Sequence, residues 1–359
     1  MSQIEIRHLK LIDTIEETGT LKDAAKRLFL TPSALSHQLK ELESRLDTQI
    51  FYRVKNKLLF TPSGKALRDA GKEILNRLKK AEATIQEMNQ DQIKDYIHGY
   101  SLEESIRLND QANSIAEVLH WDSKWKKGSF ILEAGCGVGA QTRTIASINR
   151  ESKFIAVDVS VSSLEKAKET VEKNLLENVE LQVADIFELP FENECFDHIF
   201  VCFVLEHLSR PLEALKELKR VLKTEGTITV IEGDHGSTYF HPDSSAARKT
   251  VEAQVLLQAK NGGNANIGRE LYPLLSNAGF RKIMVSPRQV YVDDSKPKLL
   301  EGFIRNTFTA MIKGISEEAL EQKIMDKKEF EKGVQDLYKT SEGGGTFCYT
   351  FFKAIGIKN

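Results

Sequence analysis

The sequence predicts a multidomain protein: a small, mostly helical amino-terminal unit with a β-hairpin, then an α/β domain on a mostly parallel sheet. Three observations carry this. At 359 residues the chain is too long for one ordinary domain and suits two of roughly 150 residues each. Its start reads as helix, turn, helix, turn, helix and hairpin. From about residue 129 apolar strand-like runs alternate with helical stretches, the pattern of a parallel sheet covered on both faces.

The elements follow in order. Leu9, Ile12 and Ile15 give a first helix that ends at Gly19, and "LKDAAKRLFL" a short second one. Thr31 and Pro32 supply the N-cap and first position of a third, with Leu35, Leu39, Leu42 and Leu46 on one stripe. Its other face carries Ser33, Ser36, His37 and Lys40, groups able to bond to base edges or phosphates. "IFYRVKNKLLF" reads as a hairpin with a basic tip at Arg53, Lys55 and Lys57. After "TPSG" a long helical pattern with one apolar seam runs from Lys65 to about Gln90, as expected of a helix that pairs with another. A helical stretch over 94–126 then leads to the strand candidates "SFILEAG", "KFIAVDVS", "VELQVAD", "FDHIFVCFV", "TITVIEGD" and "IMVSPRQVYV". "TFCYTFFKAIG" closes the chain as an antiparallel strand at or beside an edge.

Composition excludes several classes. The chain is 41% hydrophobic and 28% charged, and no apolar run approaches the ~20 residues of a bilayer span. Acidic residues interrupt the start where a signal peptide would be continuously apolar, so a cytoplasmic protein is expected. Cys136, Cys195, Cys202 and Cys348 form no C-x-x-C pair and sit among apolar residues, which predicts buried thiols and no metal site. Charge is uneven: residues 1–88 hold 16 Lys+Arg against 12 Asp+Glu, while the whole chain carries −2. The amino-terminal part is the one suited to phosphate.

Residues 3 to about 88 resemble the winged helix-turn-helix of LysR-type transcriptional regulators. "AAKRLFLTPSALSHQLKELESRL", "IFYR" and "FTPSGK" stand in that family's order and spacing, and "IRHLK" is most like its methionine-biosynthesis branch. The resemblance implies a helix from Pro32 in the major groove, with Ser33, Ser36, His37, Gln38 and Lys40 towards DNA and Arg53 and Lys55 on phosphates. It also implies a homodimer on a palindromic operator in double-stranded DNA.

"EAGCGVGAQT" places Glu133, Gly135, Gly137 and Gly139 after a strand and before a helix. There small residues let the backbone approach a ligand, and the helix start favours its carboxylate. Asp158 ends the next strand, where an acid can accept from both ribose hydroxyls, and Asp185 ends the third, within reach of an adenine amino group.

This half, 95–353, resembles class I S-adenosylmethionine-dependent methyltransferases, which are Rossmann-like with a mostly parallel seven-stranded sheet. The resemblance rests on E-x-G-x-G-x-G, the acid after the second strand and "ADIFELPFENECFDHIFVCFVLEHL". It implies S-adenosyl-L-methionine as cofactor, with Gly135, Gly137 and Gly139 under the methionine part, Asp185 and Ile186 by adenine, Phe203 beside the sulfonium and Tyr100 closing over it. Candidates to handle an acceptor's proton follow strands four and five: Glu206 and His207, then Asp234, His235, Tyr239 and His241.

The expected division is 1–62 winged helix-turn-helix, 63–93 linker and dimerisation helix, and 94–359 methyltransferase domain. Helical insertions near 244–262 and 296–338 would roof the acceptor pocket. Base-methylating enzymes carry an Asn or Asp before Pro-Pro-aromatic, or a Pro-Cys nucleophile, after the fourth strand, where this chain has "CFVLEHL". DNA is thus the address and a small molecule the acceptor; homocysteine-related thiols come to mind from the regulator resemblance. LysR regulators normally join their reader to a periplasmic-binding-protein-like domain, and this chain departs from that plan. Two other readings remain open at this level: a non-catalytic S-adenosylmethionine sensor controlling DNA binding, and a methyltransferase whose first helices only dimerise it.

Overall fold

A computed structural model of the chain describes residues 4–27, 31–54, 57–72, 74, 75, 77 and 102–359. The chain folds as two compact units, Met1–Gln92 and Ile93–Asn359.

In the first unit, α1 (Ile6–Thr18) ends on Gly19 with φ 73°, which caps the helix through its N–H to the Ile15 carbonyl. α2 (Leu21–Arg27) is followed by α3 (Pro32–Arg45), whose start is held by the Thr31 hydroxyl accepting from Ala34 N at 3.2 Å, with Pro32 at the first turn. Leu11, Ile12, Ile15, Ala24, Leu35, Leu39 and Leu42 meet in one core. β1 (Phe51–Val54) and β2 (Lys57–Phe60) form an antiparallel hairpin, and α4 begins at residue 62.

The second unit opens with α5 (Leu102–His120). There follow β3 (Phe130–Ala134), α6 (Ala140–Ile148), β4 (Lys153–Asp158), α7 (Val161–Lys173), β5 (Val179–Val183) and β6 (Phe196–Cys202). After a 3-10 turn at Leu205–His207 come α8 (Pro211–Val221), β7 (Leu222–His241), α9 (Ser245–Lys260), α10 (Leu271–Asn277), β8 (Arg281–Val292) and β9 (Thr346–Ile357). The seven strands lie in the order β5-β4-β3-β6-β7-β9-β8. β3 to β7 are mutually parallel, and β9 runs antiparallel between β7 and the edge strand β8. The last strand of the chain thus stands one place in from the edge.

Alternate strand residues separate into two cores. Ile131, Phe200, Cys202 and Ile231 join one with α5, α6 and α9; Leu132, Ile199, Val201 and Val230 join the other with α8 and α10. The thiols differ from expectation: Cys136 and Cys202 are buried, but Cys195 and Cys348 only partly so, and at Cys348 the neighbours Phe347 and Tyr349 are the buried residues of the strand. Strand order reverses between β3 and β6, and a crevice forms at the carboxyl ends of strands on either side of such a reversal. A helical stretch between β8 and β9 includes a π-helix at Leu300–Thr309. Among the described residues no helix is long and apolar enough to cross a membrane.

Candidate functional site

The glycine loop follows β3 directly. Gly135, Gly137 and Gly139 adopt φ of 76°, 52° and 76°, a left-handed backbone that L side chains avoid. A Cβ on Gly135 would stand 2.5 Å from the Val204 side chain, whereas one on Gly137 would meet nothing within 4 Å. The first glycine is therefore required by packing, and the second leaves open space over the loop. Gly139 caps α6, so the loop's amides lead into a helix start.

Asp158 at the end of β4 accepts from Gly137 N at 2.8 Å and from Ser160 N at 2.9 Å. It thus ties the loop to the neighbouring strand, and burial raises its pKa against these bonds. Glu133 is buried, and one of its carboxylate oxygens has no hydrogen-bond partner. Desolvation pushes its pKa up to about 8, so the carboxyl is largely protonated at neutral pH. Asp185 sits two residues past β5 and accepts from Phe187 N at 2.9 Å, with Ile186 half-buried beside it. Tyr100 lies outside the described residues.

Past β6, Phe203 has φ 59°, a strained setting for a bulky side chain, and its N–H donates to the Ile231 carbonyl at 2.9 Å. The turn that follows is held by Glu232 of β7, whose Oε1 accepts from Val204 N at 3.0 Å and Leu205 N at 2.8 Å.

Beside this turn is a cavity of about 60 Å³. It brings together Phe203, Glu206, His207 and His235, with Arg107 from α5, Phe303 and Phe308 from the π-helix, and Tyr349 from β9. Burial pushes Glu206 up to about 7 and His207 down to about 3. Burial likewise lowers His235 to about 4, and nearby Arg107 adds to both histidine shifts. All three groups are thus mainly or partly uncharged at neutral pH. His235 Nδ1 lies 3.1 Å from the Ala265 carbonyl and 3.1 Å from the Tyr349 hydroxyl, while its Nε2 is buried without a partner.

Other candidates fall outside the cavity. Tyr239 is 64% exposed, because a bulge in the β7–β9 pairing between Asp234 and Tyr239 turns the strand outward. His241 is exposed at the end of the same strand. Asp234 is bound by both ends of the Arg269 guanidinium at 2.6 and 2.8 Å, an ion pair that occupies its carboxylate. Sequence reasoning missed Arg107, Glu232, Tyr349 and the π-helical phenylalanines. An acid inside the apolar run "TITVIEG" was the one available signal for Glu232.

In the amino-terminal unit, α3 presents His37 and Lys40 exposed and Ser36 and Gln38 partly so, while Leu35 and Leu39 face the core. The side chains of Ser33 and Arg53, and all of Lys55, lie outside the described residues. Glu5, His8 and Glu41 converge, but Arg45 pairs with both carboxylates at 2.6 and 2.5 Å and Arg7 with Glu5 at 2.9 Å, so cations already fill that cluster.

Comparison with known proteins gives family-model matches in two separate parts of the chain. Residues 6–65 match the model of the bacterial regulatory helix-turn-helix proteins of the LysR family, and 125–279 match a methyltransferase-domain model. The chain is a fusion of a LysR-type helix-turn-helix and a methyltransferase domain. It is 29% identical over 264 residues to an uncharacterized 37.1 kDa protein in a Streptomyces fradiae transposon, covering 72% of this chain and 74% of that one. It is 34% identical to an uncharacterized methyltransferase of Schizosaccharomyces pombe, covering 41% of this chain and 54% of that one. To the HTH-type transcriptional regulator MetR of Buchnera aphidicola it is 39% identical, covering 27% of this chain and 31% of that one. The chain thus spans about half of the yeast relative and a third of the regulator.

Proposed function

We propose that the protein is a DNA-binding transcription regulator whose carboxy-terminal domain binds S-adenosylmethionine and transfers its methyl group to a small molecule. The observation that carries this is the open space beside Gly137, whose N–H donates to Asp158, together with a buried Glu133 oxygen without a partner on the strand that leads into the loop. The cofactor's ammonium group suits Glu133, its ribose hydroxyls suit Asp158, and Asp185 with Ile186 suits the adenine. Phe203 would border the sulfonium, and Tyr100 would cover the cofactor. When bound, the cofactor supplies an electrophilic methyl group.

The chain's own part is alignment and proton handling. Phe203, Glu206, His207 and His235 share one cavity with the aromatic side chains, which would shield a small acceptor on its apolar side. Tyr239 has no place in this reading. The exposed face of α3 would read the major groove as a homodimer on a palindromic site, with Ser33, Arg53 and Lys55 adding contacts. A protein of this kind works in the cytoplasm.

Calorimetric titration of the full chain with S-adenosylmethionine and with S-adenosylhomocysteine tests the reading. Binding of both at one site per chain, weakened at least tenfold by Asp158→Ala, is the expected result. A folded protein that binds neither rejects it.

A further inference from the structure

The cavity beside Phe203 has a wall of rings, Phe203, Phe303, Phe308, Tyr349 and Phe351, and polar groups from Gln111 and Thr307 besides the charged and imidazole side chains. Among them the centroids of Tyr349 and Phe351 stand 4.7 Å apart and those of Phe303 and Tyr349 5.8 Å. The π-helix sets part of this wall, since its wider turn carries both Phe303 and Phe308, and such turns are frequent at functional sites. The space admits only the reacting end of a compact apolar molecule.

The polar groups narrow the choice further. The Ala265 carbonyl can only accept a hydrogen bond, so His235 Nδ1 carries the proton and donates at 3.1 Å. The Tyr349 oxygen, also at 3.1 Å from Nδ1, steadies the same ring. Nε2 is therefore a bare lone pair, buried and without a hydrogen-bond partner. An acceptor seated here must offer it a donor. Arg107 shares the lining with the Glu206 carboxyl, and its charge lowers Glu206, His207 and His235 alike, a field that favours an acceptor able to lose its proton.

We infer that the methyl acceptor is a small apolar molecule bearing one weakly acidic O–H or S–H group, which donates to His235 Nε2. This rests on the proposed methyl transfer. A lone pair of the acceptor oxygen or sulfur forms a bond to the methyl carbon as the carbon–sulfonium bond breaks, its electrons returning to sulfur as a neutral thioether. The acceptor's proton passes to Nε2. Protonated amines have no lone pair to attack the methyl carbon, and ionised carboxylates have no proton for Nε2. His235 is the catalytic residue in this assignment, and Tyr349 is a positioning residue.

The test uses full-length protein, methyl-labelled S-adenosylmethionine and four probes: phenol, benzenethiol, benzylamine and benzoate. Label should enter phenol or benzenethiol at least tenfold faster than the other two, the two arms distinguishing oxygen from sulfur. His235→Gln should lower kcat about 100-fold, the lower end for loss of a general base, with S-adenosylhomocysteine affinity held within twofold as the check on folding. Tyr349→Phe should lower kcat less, with KM unchanged and the pH profile of kcat displaced. Faster transfer to benzylamine or benzoate overturns the inference. So does unchanged turnover in His235→Gln, or absence of transfer to both phenol and benzenethiol by protein that binds S-adenosylhomocysteine. Failure to bind S-adenosylhomocysteine at all overturns the cofactor reading beneath it.

Discussion

Glu232 and Leu205 are joined across two strands: the buried carboxyl on β7 accepts the Leu205 N–H at 2.8 Å and so fixes the turn after β6. The same oxygen accepts from Val204, and the turn carries Phe203 on one side and Glu206 and His207 on the other. A strand residue outside the cavity thereby sets the position of three that line it. Burial pushes this carboxyl's pKa well up, and the neighbouring Glu206 adds to the shift, against the backbone N–H bonds it accepts. Glu232→Gln retains an acceptor of the same shape and should melt close to the wild type. Glu232→Ala strands the buried Leu205 N–H and the half-buried Val204 N–H, the buried one at roughly 1–3 kcal/mol, and chemical denaturation should show that loss.

Two glycine variants should behave differently. Gly135→Ala places a Cβ 2.5 Å from Val204 and should lower the melting temperature strongly. Gly137→Ala has room and costs only the left-handed backbone, about 1–2 kcal/mol. Its Cβ nevertheless projects into the space proposed for the cofactor. Calorimetry should therefore find a largely stable Gly137→Ala protein with at least tenfold weaker S-adenosylhomocysteine binding.

Glu133 makes stability depend on pH. Its folded pKa of about 8 lies above the unfolded value near 4.3. The unfolded chain therefore releases this proton first, so the group's contribution is full below about pH 4.3 and is lost as pH rises towards 8. Relative to Glu133→Gln, the wild type should lose about 1.4 kcal/mol per pH unit over that range. A ligand ammonium beside Glu133 would lower its pKa again, so cofactor binding at pH 7 should release a proton. Binding enthalpies measured in two buffers of different ionisation enthalpy would reveal it, and a parallel pH dependence of wild type and Glu133→Gln would refute the placement.

Much of this was legible beforehand because local rules and tertiary packing agree. Gly19 ends α1, Thr31 and Pro32 start α3, and the strand runs emerge as a seven-stranded sheet. The glycines and Asp158 were legible because they follow strand ends, and strand ends converge in this topology. The exposure of Tyr239 was not legible, since a bulge cannot be read from an unbroken strand pattern and it reverses which side chains face inward. Tyr349 and Arg107 escaped because they come from a distant strand and the first helix of the unit, and only the fold brings them to His235. The π-helix has no periodicity to announce it.

The α3 face should bind DNA through charge and through base edges separately. Lys40→Ala should weaken binding equally on all duplexes and lower the slope of log affinity against log salt by about one. Gln38→Ala should instead relax preference at one base position. Fluorescence anisotropy on a duplex selected by the protein from a random pool, read at several salt concentrations, separates the two.

A crystal structure of the full chain grown with S-adenosylhomocysteine tests the central claim most directly. The account requires the ribose hydroxyls on Asp158, the adenine beside Asp185 and Ile186, the amino group near Glu133 and the sulfur facing Phe203. A ligand seated elsewhere, or an empty glycine loop at saturating concentration, would contradict it.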